Sequence, residues 1–426
     1  MGVAACSSWL GGNSNPPLPG KRISVLTREN TLEAELKGSA IEIKLPPPEA
    51  NEDWPQAGGY ANHAMHHMEV GDRLDRVWRT DIGAGSGKRA RLLAQPIVAE
   101  GRVYTMDAGA EVRAVDAKTG SKVWSRDVAP KDEDDTFAGG GLAYEEGQIF
   151  VSTGFAQVVS LEAKTGKVIW RQSLSGPMRG APTVRGGRVF IITVDNQTHA
   201  LAADDGAVLW THQGISEGAS LLGGSSPAVD GNVVVVPYSS GELFALRVDN
   251  GSVLWQDQLT TVRRTDNVAT LSDIRGRPII DRGRVYAIGH ADLLVAIDLR
   301  SGRRLWEREI GGIQSPWVGG DYLFLVSNKN EAVALDSKTG RVLWVTQLQV
   351  WDNEEDREGR IVWAGPVLAS DRLLLGSSNG KLISLSPYSG EVLGRIKVSD
   401  GVTIPPSVAS NTIYFLTNDA DLVAYR

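Results

Sequence analysis

One cysteine stands among 426 residues, so no disulfide can form within the chain. No run of about 18 apolar residues occurs, the length a membrane-crossing helix needs, and no internal span is expected. Positive charge is also short. The 44 Lys and Arg residues face 51 Asp and Glu, for a net charge of −7 and a pI near 5.5. That balance offers no basic nucleic-acid footprint. Nucleophile-elbow and metalloprotease motifs are missing as well. Gly83 to Arg89 imitates a phosphate loop, but it lacks the first glycine and has Arg89 where Mg²⁺ chemistry needs Ser or Thr. With Arg91, that basic stretch predicts a positive patch on one face, suited to an acidic partner.

What the chain has is repetition. A thirteen-residue phrase occurs seven times and ends six times in tryptophan. The copies are Val112–Trp124, Val158–Trp170, Thr198–Trp210, Leu243–Trp255, Leu294–Trp306, Ala332–Trp344 and Leu382–Gly394. Each reads as a hairpin: an alternating strand, a turn of the Asp-x-x-Thr-Gly type, then a second strand. Glycine suits the last turn position because positive φ is costly for residues with a β-carbon. A further signal, Pro-x-Val/Ile-x-x-Gly-x-Val-Tyr/Phe, precedes the hairpins, clearest at Pro96–Tyr104, Pro182–Phe190 and Pro278–Tyr286, with a looser copy at Pro227–Val235.

Counting loose copies, there are eight leading strand pairs but seven hairpins. The stretch Val77 to Ile82 resembles the tryptophan strands and supplies the missing one. The expectation is an all-β, eight-bladed propeller of four-stranded antiparallel blades, spanning residues 74–426 and closed by pairing an N-terminal strand with the C-terminal strands. Closure of that kind removes open sheet edges. Trp78, Trp124, Trp170, Trp210, Trp255, Trp306 and Trp344 are expected to wedge between blades, each indole N–H finding a carbonyl. Their recurrence at one repeat position argues against a ligand-stacking ring. Gly394 breaks the series and predicts a looser junction.

Residues 1–20 read as a lipobox-like start and a flexible tether. Val3-Ala4-Ala5-Cys6 has the small residues that precede a lipidated cysteine, and Gly11 to Pro17 follows as a polar spacer. The basic and apolar segments of a secretory signal do not precede it, since five residues stand before Cys6. A chance cysteine in a tail is the other reading. Residues 21–73 read as a partly ordered extension with short β-like runs at Ile23–Leu26 and Ala40–Leu45, lying along the propeller as a second contact surface.

The repeats, with Trp54-Pro55-Gln56-x-Gly58-Gly59 and the cysteine-bearing start, resemble the BamB family of outer-membrane protein assembly lipoproteins. That family sits in the wider class of propellers with repeats like those of pyrroloquinoline quinone (PQQ) dehydrogenases. The resemblance implies a non-enzymatic scaffold without cofactor, anchored through Cys6 at the periplasmic face of the outer membrane. It further implies docking on the periplasmic domains of BamA among the other subunits of the assembly (BAM) machinery. Capture of unfolded outer-membrane clients at a blade edge is a second reading. Two rim loops match the family's docking loops. In the first, Leu221 matches a docking leucine, Leu222 stands where known members have arginine, and Ala219 where they have leucine. In the second, Asp273 matches a docking aspartate and Arg275 replaces another, a charge reversal that calls for a compensating change in the partner. Ordinary blade connections are the structural alternative for both loops.

The enzyme alternative is a PQQ-dependent dehydrogenase, which needs a quinone pocket, Ca²⁺ held by oxygen ligands and an aspartate base. Many such enzymes carry adjacent cysteines in a disulfide, which Cys6 alone cannot form. Another periplasmic binding propeller is the third possibility. His63, His66 and His67 would make a metal site if helical, but no cysteine or carboxylate pattern joins them, and a polar lead-in is the simpler reading. The acidic runs at 132–135 and 353–356 read as solvated loop tips.

Overall fold

Each repeat phrase folds as a hairpin with a defined turn. In the first, Ala114 sits opposite Trp124 across strands Glu111–Asp116 and Lys122–Asp127. The Asp116 carboxylate accepts from the amides of Lys118 and Thr119 at 3.0 and 2.8 Å, and Gly120 then closes the turn at φ +70° onto the Asp116 carbonyl. This is why the phrase runs Asp-x-x-Thr-Gly: aspartate satisfies the turn amides and glycine takes the left-handed residue.

The structure is a computed structural model and describes residues 32–35, 42–87, 90–131, 139–218, 221–260 and 272–426. Two compact units divide the chain: Met1–Glu33, of which residues 32 and 33 are described, and Ala34–Arg426, which holds every named strand. Eight four-stranded antiparallel sheets form the expected all-β propeller. Blades 1 to 7 span residues 97–127, 140–173, 183–213, 228–258, 279–308, 317–347 and 363–397. Blade 8 joins the C-terminal strands to Arg76–Asp81, which pairs antiparallel with Asp421–Tyr425. A short hairpin, Trp351–Asn353 with Glu358–Arg360, is inserted between blades 6 and 7 and carries the exposed acidic run 353–356.

In each blade the inner three strands are mostly buried, whereas the outer strand turns little more than its tryptophan inward. The indoles all sit alike. Trp78, Trp124, Trp170, Trp210, Trp255, Trp306 and Trp344 donate Nε1–H to Ala117, Ala163, Ala203, Val248, Leu299, Ser337 and Pro387 carbonyls of the following blade, at 2.7–3.2 Å. The ring also covers the next blade's turn glycine: a β-carbon on Gly166 would lie 2.5 Å from Trp124. Glycine is therefore needed twice at that position, for its φ and for the neighbour's indole. The aromatic that ends the Val-Tyr/Phe signal packs on the tryptophan of its own blade, as Phe150 does on Trp170 at 6.0 Å. An indole buries roughly 150–250 Å², so each wedge contributes about 4–6 kcal/mol before entropy is counted.

Gly394 departs from the series for a visible reason. Its neighbour is blade 8, where Asp421–Tyr425 pairs with Arg76–Asp81 and no hairpin turn joins them. An indole at 394 would have no turn glycine to cover.

Residues 49–70 run across one end of the central channel and touch all eight blades. Trp54 pairs with Val98 in both directions, and the Pro55 carbonyl accepts from Tyr144. Gln56 bonds the Val184 backbone twice, at 2.7 and 2.8 Å. Ala61 and Asn62 carbonyls accept from Val229 and Ile280, and His66 accepts from the Trp317 indole. Met68 and Asn51 complete the circuit on blades 7 and 8. Trp54 is fully buried and stacks on Trp317 at 6.1 Å. This segment caps the channel at that end.

Candidate functional site

The outer strand of each blade leads to the inner strand of the next by a loop, and these loops gather on the face opposite the cap. Residues 214–218 and 221–227 belong to one of them and residues 272–278 to another, and the two are tied together. The Leu221 amide donates to Asp273 Oδ2 at 2.8 Å, Ser225 Oγ donates to the Gly276 carbonyl at 3.1 Å, and Arg179 donates to the Leu221 carbonyl at 3.4 Å. The Arg275 guanidinium lies over Gly223, where a β-carbon would come within 2.9 Å of Nε.

Asp273 is only 6% exposed, so its carboxylate holds the first loop in place from within. Burial pushes its acid up from the ordinary value, while the Leu221 amide and the nearby Arg275 draw it back down. Leu222 is the outward member of the set at 49% exposure, and Ile215 on the same loop reaches 59%. The structure thus joins Leu221, Leu222, Asp273 and Arg275 into one platform. Ala219 and Cys6 lie outside the described residues, as do Lys88, Arg89, residues 132–135 and the run Ile23–Leu26.

Inside the platform the channel opens as a funnel of about 300 Å³. Seven inter-blade loops and Gly140 at the start of blade 2 contribute to its wall, including Arg91, Gln95, Arg179, Arg275, Arg277 and Gln314. Arg277 lies at the capped end, beside Gly58 and His63. It donates to Gln95 Oε1 at 3.2 Å, while its Nε is buried with no hydrogen-bond partner. Burial and the adjacent Arg275 bring its pKa down to about 10. His63 is 4% exposed, its Nδ1 lies 2.7 Å from the Pro278 carbonyl, and burial beside Arg277 pulls its pKa down to about 3.

Sequence reading passed over Arg179, Arg277 and Ile215. A signal existed for the arginines: Arg179 and Arg275 each stand three residues before the proline that opens an inner strand, and Arg277 stands immediately before it. That register aims side chains at the channel. No comparable signal marks Ile215.

A quinone enzyme would need Ca²⁺ ligands in this funnel. Among the described residues, no carboxylate lines it and no cluster of three His, Cys, Asp or Glu is suited to a metal. The donor set does not fit that group.

Comparison with known proteins narrows the reading. A family model described as outer membrane protein assembly factor BamB matches residues 75–134, 108–346 and 348–426. An outer membrane protein assembly factor BamB from Yersinia pestis is 30% identical over 356 residues, covering 82% of this chain and 88% of that one. The crystal structure of BamB from Moraxella catarrhalis superposes with a TM-score of 0.71 at 19% identity, over 83% of this chain and all of that one. A quinohemoprotein alcohol dehydrogenase from Pseudomonas putida reaches 0.69 at 14% identity, covering 88% of this chain and 80% of that one, a likeness of fold alone.

Proposed function

The chain belongs to the BamB family of outer membrane protein assembly factors, and from that premise we propose that it is a non-enzymatic scaffold subunit of the outer-membrane β-barrel assembly machinery. It docks on the periplasmic domains of BamA through its loop face and orients them for incoming outer-membrane chains. Cys6 carries the lipid that holds the chain at the periplasmic face of the outer membrane, residues 1–20 serve as tether, residues 21–73 form the extension, and the propeller of residues 74–426 presents the docking face.

The observation that carries this reading is the bond between the two loops. An exposed apolar residue on a loop fixed by a buried carboxylate presents a preorganised contact, which lowers the ordering cost of association. Leu222 and Ile215 supply exposed apolar area on the first loop, and Asp273 is a positioning residue for Leu221 and Leu222. The arginines around the funnel suit an acidic partner surface.

The test is calorimetric titration of the full chain with the periplasmic domains of BamA from the same organism. Saturable binding is expected, weakened about thirtyfold or more by Leu222→Asp, because a charge is then buried in the contact. Asp273→Ala should weaken it by releasing the Leu221 amide. Absence of binding, or both variants binding like the parent, would refute the docking face.

Blade 7 favours client capture as a second reading. Its outer strand exposes Val392, Leu393 and Ile396 at 40, 55 and 39% and lacks the wedge tryptophan, the profile of an edge open to strand addition. Leu393→Lys should reduce binding of an unfolded outer-membrane strand peptide; unchanged binding counts against this edge.

A further inference from the structure

A group of cations lining a blind channel, three of them half-buried, calls for a counter-charge. Arg277 and Arg275 adjoin each other, and Arg179 and Arg91 line the same funnel nearer its mouth. Asp273 acts on Arg275 from behind the wall and is bonded to the Leu221 amide; it does not line the funnel. Among the described residues, neutral Gln95, Gln314, Ser86, Ser315, Thr403 and Asn418 complete the polar lining. Arg277 Nε stays buried without a partner, although a guanidinium presents five donors in a planar fork matched to carboxylate or phosphate.

Electrostatics and shape agree. Proximity to Arg275 and burial both make Arg277 easier to deprotonate than a free arginine, which marks charge without sufficient compensation. A cleft walled by one sign of charge in low dielectric focuses the field and concentrates counter-ions. The cap of residues 49–70 makes the channel blind at the Arg277 end, and the funnel's volume of about 300 Å³ has room for a metabolite-sized molecule. His63, the other titratable group against Arg277, is held neutral through its buried ring and offers no negative charge.

We propose that the funnel is a binding site for a small oxyanion, a free polycarboxylate or phosphate compound held by Arg277 at the closed end and by Arg275, Arg179 and Arg91 on the wall above it. This site shares Arg275 and the Leu222–Gly223 rim with the proposed docking face, but binding of a small anion needs no docked partner and is tested without one. Occupancy would place negative charge directly beneath the Gly223 and Leu222 loop, next to Arg275.

The test is calorimetric titration of the full chain with inorganic phosphate, pyrophosphate and citrate, at constant ionic strength, alongside a melting curve for each. Saturable binding with a Kd of about 0.1 mM or tighter is expected for at least one probe. Arg277→Gln should weaken it about tenfold or more, since a hydrogen-bonded charge is lost. Arg179→Gln, at the mouth, keeps the test valid should the Arg277 variant fold poorly, and should weaken binding severalfold. No saturable binding by any probe overturns the proposal. Binding that both variants retain at parental strength overturns it too, because the anion then sits elsewhere. A parallel titration with an acidic peptide separates sources: free anions binding while the peptide does not supports the proposal, and the peptide binding alone overturns it.

Discussion

The two kinds of buried tryptophan should respond oppositely to the same substitution. Trp170 donates its Nε1–H to the Ala203 carbonyl at 2.8 Å, whereas the Trp54 Nε1–H is buried with no partner. Replacing indole by phenyl removes roughly 40 Å² of apolar contact at either site, about 1 kcal/mol. At Trp170 it also strands a buried carbonyl, adding about 1–3 kcal/mol. Trp170→Phe should therefore cost about 2–4 kcal/mol. At Trp54 the change removes an unsatisfied donor instead, a gain of about 1–3 kcal/mol that offsets the lost contact. Trp54→Phe should therefore be neutral or stabilising, by up to about 2 kcal/mol. Urea unfolding followed by circular dichroism, with the slope checked for constancy, measures both. Equal costs at the two sites would refute the assignment of hydrogen bonds as the difference between wedge and cap. Trp54→Ala bounds the scale: loss of a fully buried indole should cost about 3–5 kcal/mol.

Three further outcomes follow from the same geometry. Gly166→Ala should cost about 2–4 kcal/mol by urea unfolding, since its β-carbon would meet Trp124 at 2.5 Å, whereas Gly186→Ala, at φ +60° with open space around it, should cost about 1 kcal/mol. Gly394→Trp should give no stabilisation, because blade 8 has no turn glycine beneath it; a gain near the roughly 4–6 kcal/mol of a normal wedge would refute that explanation. His63 titrates near 6.5 when unfolded and about 3 when folded, so the unfolded chain takes the proton first. Stability from His63 is complete above pH 6.5 and is lost as pH falls toward 3, by about 2 kcal/mol between pH 6.5 and 5. His63→Gln should flatten the stability–pH curve by about one proton across that window, and an unaltered slope would remove His63 from the account.

The propeller was legible because its information is periodic. One tryptophan and one turn glycine recur per unit, and the strand Arg76–Asp81 betrays closure by sharing the pattern. The second demand on the glycine was hidden, since the indole that covers it belongs to the preceding blade. The cap escaped for a different reason: residues 49–70 do not repeat, and they bind largely through backbone carbonyls that any sequence possesses. The funnel escaped because Arg91, Arg179 and the Arg275–Arg277 pair are far apart in the chain and meet only at the axis. Leu221 and Asp273 were singled out as loop residues, but their mutual bond spans 52 positions and reassigns Asp273 from surface contact to internal brace.

The most direct test of the docking account is amide hydrogen exchange on the full chain, with and without the periplasmic domains of BamA. The account predicts added protection in residues 214–227 and 272–278 and none at the hairpin turns that hold Gly120, Gly166 and Gly206. Protection at those turns, or no change on either face, would contradict it.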